Sequence, residues 1–276
     1  MAFNPNISPE SRKRLHDALE DVVNVAIRLE FEIVELNLTS TMFEIGLPIV
    51  FDPIAVRILD DAPLRFHLNL FPDANARGWP ALTDVNAYSR SLAIRRMVQV
   101  VEFYEHQHPM AMYVVHPGRR MAPDTEHVDA LTESFRTLDS LFPGLPVAVE
   151  NGHTDAVLSE LDTVLEMLDA TTLVRFALHT GLAFHSVSGD REAFDARLNY
   201  LQRFADRLAE IRWHNTAPGR RPSMPIHLDL ERGLDLARIM RTVGRNPGTV
   251  HMIETVGFNP AALVREARML HRMFVP

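Results

Sequence analysis

Seven side chains that can bind a metal lie at or near the ends of short apolar runs spread along the chain. Five are histidines and two are glutamates: His67, His116, Glu150, His179, His214, His227 and Glu254. The chain has no cysteine, so thiolate zinc sites and iron–sulfur clusters are excluded. Because a buried cluster of imidazoles and carboxylates needs pairing or a metal, the pattern predicts a site for one or two divalent transition ions, Zn²⁺, Mn²⁺, Fe²⁺ or Co²⁺.

Glu150 shows how these groups are placed. It ends the run Pro146-Val147-Ala148-Val149, which is typical of a parallel strand buried on both faces. The end of such a strand lies where the sheet opens toward solvent. Water or a nearby arginine would satisfy Glu150 equally well, so the metal hypothesis rests on the other six residues.

Apolar strands alternate with helices along the chain. The predicted strands cover residues 31–38, 64–70, 110–115, 145–150, 173–178, 211–214 and 249–253, and one of the predicted helices runs from about Arg191 to Glu210. Such alternation requires parallel pairing with right-handed crossovers, and about eight units in roughly 250 residues is the size of a (β/α)₈ barrel. We therefore predict the α/β class, with residues 1–276 forming a single (β/α)₈ TIM-barrel domain.

An open, doubly wound sheet is the alternative architecture. It usually carries a G-x-G-x-x-G turn after its first strand, and none occurs there. In a barrel the C-terminal strand ends surround one mouth, so residues far apart in sequence become neighbours.

Composition narrows the range of partners. The formal net charge of −8 disfavours nonspecific binding of nucleic acid, which leaves a small-molecule substrate as the expected partner. No charged and apolar leader opens the chain, and no apolar run approaches the roughly 18 to 20 residues of a membrane span. We expect a cytoplasmic protein without membrane contact, and a homo-oligomer is left open.

The order of short motifs around these residues resembles the xylose isomerase-like TIM barrels, which include sugar isomerases, sugar epimerases and endonuclease IV. The motifs are His67, His116-Pro117-Gly118, Glu150-Asn151, His179-Thr180, His214-Asn215, His227 with Gly233, and Glu254-Thr255. The resemblance covers nearly the whole chain. It implies the superfamily rather than one reaction, because this fold hosts several chemistries.

The endonuclease-like pattern implies two metal positions. His67, His116 and Glu150 would hold the first ion, and Glu150 would bridge to a second ion held by His179, His214 and Glu254. His179 replaces the family's aspartate, which shifts preference from Mg²⁺ toward Zn²⁺, Fe²⁺, Co²⁺ or Mn²⁺. Leu182 and Pro225 stand where the third metal of endonuclease IV would need His and Asp, so one or two ions are expected.

The resemblance implies an isomerase or epimerase acting on a hydroxy-carbonyl substrate such as a ketose. Glu150 and Glu254 would then be the catalytic acid and base. His227, Arg220 and Arg221 are the expected substrate-binding residues, the arginines because a guanidinium binds phosphate or carboxylate in a bidentate manner.

The sequence leaves three other functions open. One is an endonuclease IV-like metal-dependent phosphodiesterase, and another is a non-haem iron enzyme that carries out an oxidative tailoring reaction. The third is a binding protein with a vestigial site.

Overall fold

The computed structural model describes residues 8–39, 52–71, 80–122, 124–152, 156–228, 230, 232–253 and 260–274. Within these ranges strands alternate with helices. The strands are β1 (Ile33–Leu38), β2 (Arg65–Leu70), β3 (Met112–Val115), β4 (Val147–Glu150), β5 (Arg175–His179), β6 (Leu208–Trp213) and β7 (Val250–Ile253). The helices are α1 (Pro9–Arg28), α2 (Pro53–Asp60), α3 (Ala87–Gln107), α4 (Asp124–Leu141), α5 (Leu161–Ala170), α6 (Thr180–Ser186), α7 (Arg191–Leu201), α8 (Leu236–Ile239) and α9 (Pro260–Phe274), with a 3₁₀ segment at Gln202–Arg207 and a π-helical turn at Met240–Gly244.

Each strand pairs in parallel with the next strand along the chain, in the order β1-β2-β3-β4-β5-β6-β7. Sequential order is what repeated right-handed crossovers produce in a TIM barrel. Strands that are not neighbours in the sheet also touch, since Glu35 of β1 and His67 of β2 both bond to side chains of β6. The sheet therefore curls around a common interior, and the predicted α/β barrel is confirmed.

Helix starts follow signals that are local in sequence. Ser8 caps α1 by accepting the Ser11 N–H at 3.1 Å, and Pro9 occupies the first helical position. Asn86 caps α3 by accepting the N–H groups of Tyr88 and Ser89. These side chains satisfy amide groups that have no partner within the helix, so each helix begins at a fixed residue.

Apolar strand residues fall into two layers. The larger layer packs between the strands and the helices, and a smaller inner cluster consists of Met112, Val114, Ala148, Ala177 and Ala209. Successive strand side chains point to opposite faces, so residues in step with the inner cluster point into the barrel. On this count His116 follows Val114, Glu150 follows Ala148 and His179 follows Ala177. In β6 the register against β5 shifts by one residue at Ala209, because Phe176 pairs with Leu208 and Ala177 with Glu210, and beyond this shift Glu210 and Arg212 point inward. The predicted ligands therefore continue the barrel interior toward the C-terminal strand ends.

The structure differs from the sequence prediction in two places. The helix predicted to reach Glu210 ends at Leu201, and after a 3₁₀ segment the chain enters β6 at Leu208. His227, expected among the strand-end ligands, lies in a turn. The described ranges thus contain seven strands. Residues 1–6, which the sequence alone would allow as a short first strand, lie outside them.

No helix in these ranges combines the length and the apolar character that crossing a membrane requires.

Candidate metal centre

A buried arginine lies at the centre of the charged groups inside the barrel. Arg212 of β6 forms ion pairs with Glu35 of β1, Glu150 of β4 and Glu210 of β6. Its Nε lies 3.1 Å from Glu150 Oε2 and 2.9 Å from Glu210 Oε1. The side chains of all four residues are at most 9% exposed, so water screens these charges weakly.

Two residues of β2 extend this network at different depths. His67 Nδ1 lies 2.9 Å from Glu210 Oε2. Asn69, the next inward position along β2, donates to Glu35 at 3.2 Å and contacts His116 Nε2 at 2.9 Å through its Oδ1. Asn69, rather than His67, is therefore the β2 residue beside His116.

The carboxylates outnumber the cations in this cluster. Three carboxylates surround one guanidinium, which leaves two negative charges in excess when all are ionised. Burial raises the pKa of Glu35 from 4.5 to about 7; Arg212 opposes this rise, Glu210 adds to it, and Asn69 opposes it. A cluster of this kind favours taking up a proton or a cation.

His116 and Glu150 lie side by side nearer the mouth. His116 Nε2 is 3.5 Å from Glu150 Oε2, the same carboxylate oxygen that faces Arg212. The Glu150 side chain is 4% exposed and that of His116 15%. These two predicted ligands are brought together by the fold.

His179 and His214 form a stacked pair, with ring centroids 4.0 Å apart and planes within 7°. His179 also caps α6, because its Nδ1 accepts the Leu182 N–H at 3.1 Å. An imidazole that accepts at Nδ1 carries its hydrogen on Nε2 when neutral, and that nitrogen lies 3.2 Å from Ser223 Oγ. A metal bound to Nε2 would require the ring hydrogen on Nδ1, where it would face the Leu182 N–H, which is itself a donor. In this arrangement His179 therefore acts as the cap of α6.

Comparisons with known proteins were informative only at the level of structure. No protein-family model and no curated protein matches the chain by sequence. Among solved structures, SacUVDE gives a TM-score of 0.64 at 14% identity, covering 98% of this chain and 91% of that chain. A D-tagatose 3-epimerase-like protein gives 0.63 at 13% identity, with 88% of each chain covered. An AP endonuclease, family 2, from Brucella melitensis gives 0.62 at 16% identity, covering 90% of this chain and 92% of the other.

The chain has the TIM-barrel fold of these solved structures.

The predicted substrate-binding residues lie in the segment after β6. Arg220 and Arg221 are exposed. His227 is 27% exposed at its side chain, and its Nδ1 bonds to Glu266, a buried residue of α9. Glu266 also accepts the Ile226 N–H at 2.6 Å, which anchors this turn to the last helix.

One predicted ligand cannot be placed. Glu254 lies outside the described residues, immediately after β7. Its roles as metal ligand and catalytic acid or base stay predictions.

Sequence reasoning missed four residues of the network around Arg212 and one residue, Glu266, that anchors the turn at His227. The four are Glu35, Asn69, Glu210 and Arg212. A signal was present for two of them, because Glu210 and Arg212 precede His214 at a period of two, as inward residues of a strand do. Placing Glu210 in a helix concealed that signal.

The donor set inside this TIM barrel fits a divalent transition metal. Imidazole and carboxylate groups suit Zn²⁺, Mn²⁺, Fe²⁺ and Co²⁺, and the excess negative charge around Arg212 supplies an electrostatic reason to bind a cation. Among the described residues, one group of three candidate ligands has donor atoms within 4.8 Å of one another, namely Glu35, His67 and Glu210.

Proposed function

We propose that the protein is a metal-dependent enzyme of the isomerase or epimerase type, acting on a small hydroxy-carbonyl, sugar-like substrate at the barrel mouth. The observation that carries this proposal is the buried excess of carboxylates around Arg212, which includes Glu150, the neighbour of His116. Buried carboxylates in excess of their cations are costly unless a proton or a metal compensates them.

The proposed metal ligands are His116, Glu150, His214 and Glu254. His116 and Glu150 are already adjacent. His179 is engaged by the start of α6, so its ligand role stays a prediction that requires this bond to exchange. His67 holds Glu210 with Nδ1, and its ligand role stays a prediction in which Nε2 would bind the metal.

Glu150 and Glu254 are the proposed acid and base. A bound divalent ion would polarise the carbonyl and the neighbouring hydroxyl of the substrate. Arg212 Nε and His116 Nε2 both face Glu150 Oε2, which fixes the orientation of this carboxylate. A carboxylate held in one orientation can exchange a proton with a substrate carbon that lies within hydrogen-bond reach of its oxygen.

The test is proton exchange with solvent. The protein is purified anaerobically, its metals are identified by elemental analysis, and ketopentoses and ketohexoses are incubated with it in D₂O together with Mn²⁺, Fe²⁺ or Zn²⁺. We expect deuterium next to the carbonyl of at least one sugar, and a loss of at least about 100-fold in Glu150→Gln, the usual minimum for removing an acid or base. Glu192→Gln, an exposed change on α7, is the matched control. Absence of transition metal from the purified protein, or of deuterium from every sugar, would contradict the proposal.

A phosphodiesterase is the second candidate. Two of the similar structures are SacUVDE and an AP endonuclease, and the exposed Arg220 and Arg221 follow β6 near the mouth. This function predicts hydrolysis of bis(4-nitrophenyl) phosphate or cleavage of abasic-site DNA, weakened when both arginines are changed to Ala. Metal-dependent hydrolysis without deuterium exchange would favour it over the isomerase.

A further inference from the structure

A second group of metal-binding side chains lies below the proposed metal position. Glu35, His67 and Glu210 offer donor atoms within 4.8 Å of one another, and we call these three residues the deep pocket. Their side chains are 9%, 2% and 0% exposed. By donor type and spacing the deep pocket would suit a divalent ion.

Arg212 already places a cation against the deep pocket. Its Nη2 bonds to Glu35 and its Nε lies 2.9 Å from Glu210 Oε1. A guanidinium remains charged at any pH at which the protein is folded, and its planar fork of donors matches carboxylate oxygens. Both carboxylates of the pocket therefore face a permanent positive charge that is part of the chain.

A metal ion and this guanidinium would compete for the same two carboxylates. An ion bound to Glu35 and Glu210 would lie about 2.0 to 2.2 Å from its ligand oxygens, and Arg212 already contacts Oε2 of Glu35 and Oε1 of Glu210. Two like charges within a few ångströms in a buried site repel strongly. The pocket can hold either cation at low cost, but not both.

We infer that Arg212 is a built-in cation that fills the deep pocket and thereby limits the barrel to one metal ion, at the level of His116 and Glu150. The same guanidinium also contacts Glu150, with its Nε 3.1 Å from Glu150 Oε2. An upper ion would therefore share one carboxylate with Arg212, whereas a deep ion would share two. Arg212 thus holds in position the carboxylate that the proposed metal shares. This inference rests on the proposed function for the upper ion, whereas filling of the deep pocket by Arg212 can be tested separately.

Metal stoichiometry tests the inference. Wild-type protein, Arg212→Gln, Arg212→Gln with His67→Gln, and the exposed control Arg136→Gln are loaded with Zn²⁺, dialysed and analysed for bound zinc. We expect one equivalent in the wild type and in the control. Arg212→Gln should bind two equivalents, because loss of the guanidinium opens the deep pocket, and the double variant should return to one because a ligand is missing.

Two equivalents in the wild type would overturn the inference, as would folded Arg212→Gln with no gain in zinc. No zinc in the wild type would contradict the proposed function, and the deep-pocket inference would then be decided by whether Arg212→Gln gains one equivalent. If that variant does not fold, electron paramagnetic resonance of Mn²⁺-loaded wild type decides. An isolated six-line spectrum supports a single ion, and a spin-coupled pair contradicts it.

Discussion

Glu35 is the residue whose ionisation the fold alters most clearly within the site. It lies between Asn69 and Arg212, and burial is the main cause of its raised pKa. Because burial outweighs the attraction of Arg212, the neutral carboxyl is favoured up to about neutral pH. At the scale of single residues, the site therefore contains a carboxyl group, Glu35, that holds a proton up to about neutral pH, in addition to the candidate metal ligands.

The stability of the metal-free protein should fall as the pH rises from about 4.5 to about 7. In this window unfolded Glu35 has lost its proton while the folded residue, with its pKa at about 7, retains it, so the folded state binds more protons and loses stability with rising pH. The effect is up to about 3 kcal/mol at 1.36 kcal/mol per pKa unit. The free energy of unfolding, measured in urea at several pH values, should change less with pH in Glu35→Gln than in the wild type. Glu32→Gln, an 85% exposed carboxyl just before β1, is the control, and an unchanged slope in Glu35→Gln would rule out this assignment.

His179 should behave as a helix cap. Its Nδ1 accepts the Leu182 N–H, so His179→Ala should cost about 1 kcal/mol, the usual value of a cap, whereas Asn, a good capping residue, should cost less. Denaturant unfolding gives these differences, and ¹⁵N NMR should show the hydrogen of the wild-type ring on Nε2. If added Zn²⁺ moved that hydrogen to Nδ1, His179 would be a metal ligand as the sequence predicted.

At the scale of elements, the segment after β6 is held to the barrel by specific contacts. Asn215 and Met224 pair through their backbones, and Gly181 approaches the segment so closely that a Cβ there would meet the Pro222 carbonyl oxygen at 1.6 Å. The turn at Ile226 and His227 is anchored by Glu266 of α9. The segment carrying the predicted substrate-binding residues is therefore positioned by two helices, α6 and α9.

Glu266→Gln should loosen this turn without unfolding the barrel. The carboxylate accepts the Ile226 N–H and bonds to the His227 ring, and weakening buried bonds of this kind costs about 1 to 3 kcal/mol. Hydrogen exchange should become faster at residues 226–228 and stay unchanged in β1 to β5. The exposed change Arg268→Gln on the same helix should leave the hydrogen-exchange rates of both regions unchanged. Equal protection in Glu266→Gln and wild type would show that the turn is held by other contacts.

At the scale of the whole molecule, the interior charges come from strands distributed around the barrel. Arg212 of β6 is paired with side chains of β1 and β4, so a cation bound near Glu150 would stabilise contacts between these three strands. The arrangement as one domain and the cytoplasmic location stay predictions.

A bound metal should raise the thermal stability of the protein. At a free-ion concentration 100 times the Kd, mass action adds about 2.7 kcal/mol to the free energy of unfolding, which corresponds to a rise in Tm of roughly 5 °C for a chain of this size. Calorimetry with and without Zn²⁺ measures the shift. Glu150→Gln should lose most of it and Glu192→Gln should retain it. The same shift in Glu150→Gln as in the wild type would mean that the ion binds elsewhere.

The sequence by itself determined the architecture and the kinds of ligand. Apolar strands alternating with helices fix parallel pairing, and a period of two places His116, Glu150 and His179 on the inner face, because both patterns are local along the chain. Tertiary structure alone decided which of these groups meet. His67 and Glu210 are 143 positions apart, and no local pattern shows that β2 faces β6 across the barrel. The height of each side chain along the barrel axis also depends on how the strands align with one another. This alignment places Asn69 beside His116 and Arg212 among the carboxylates.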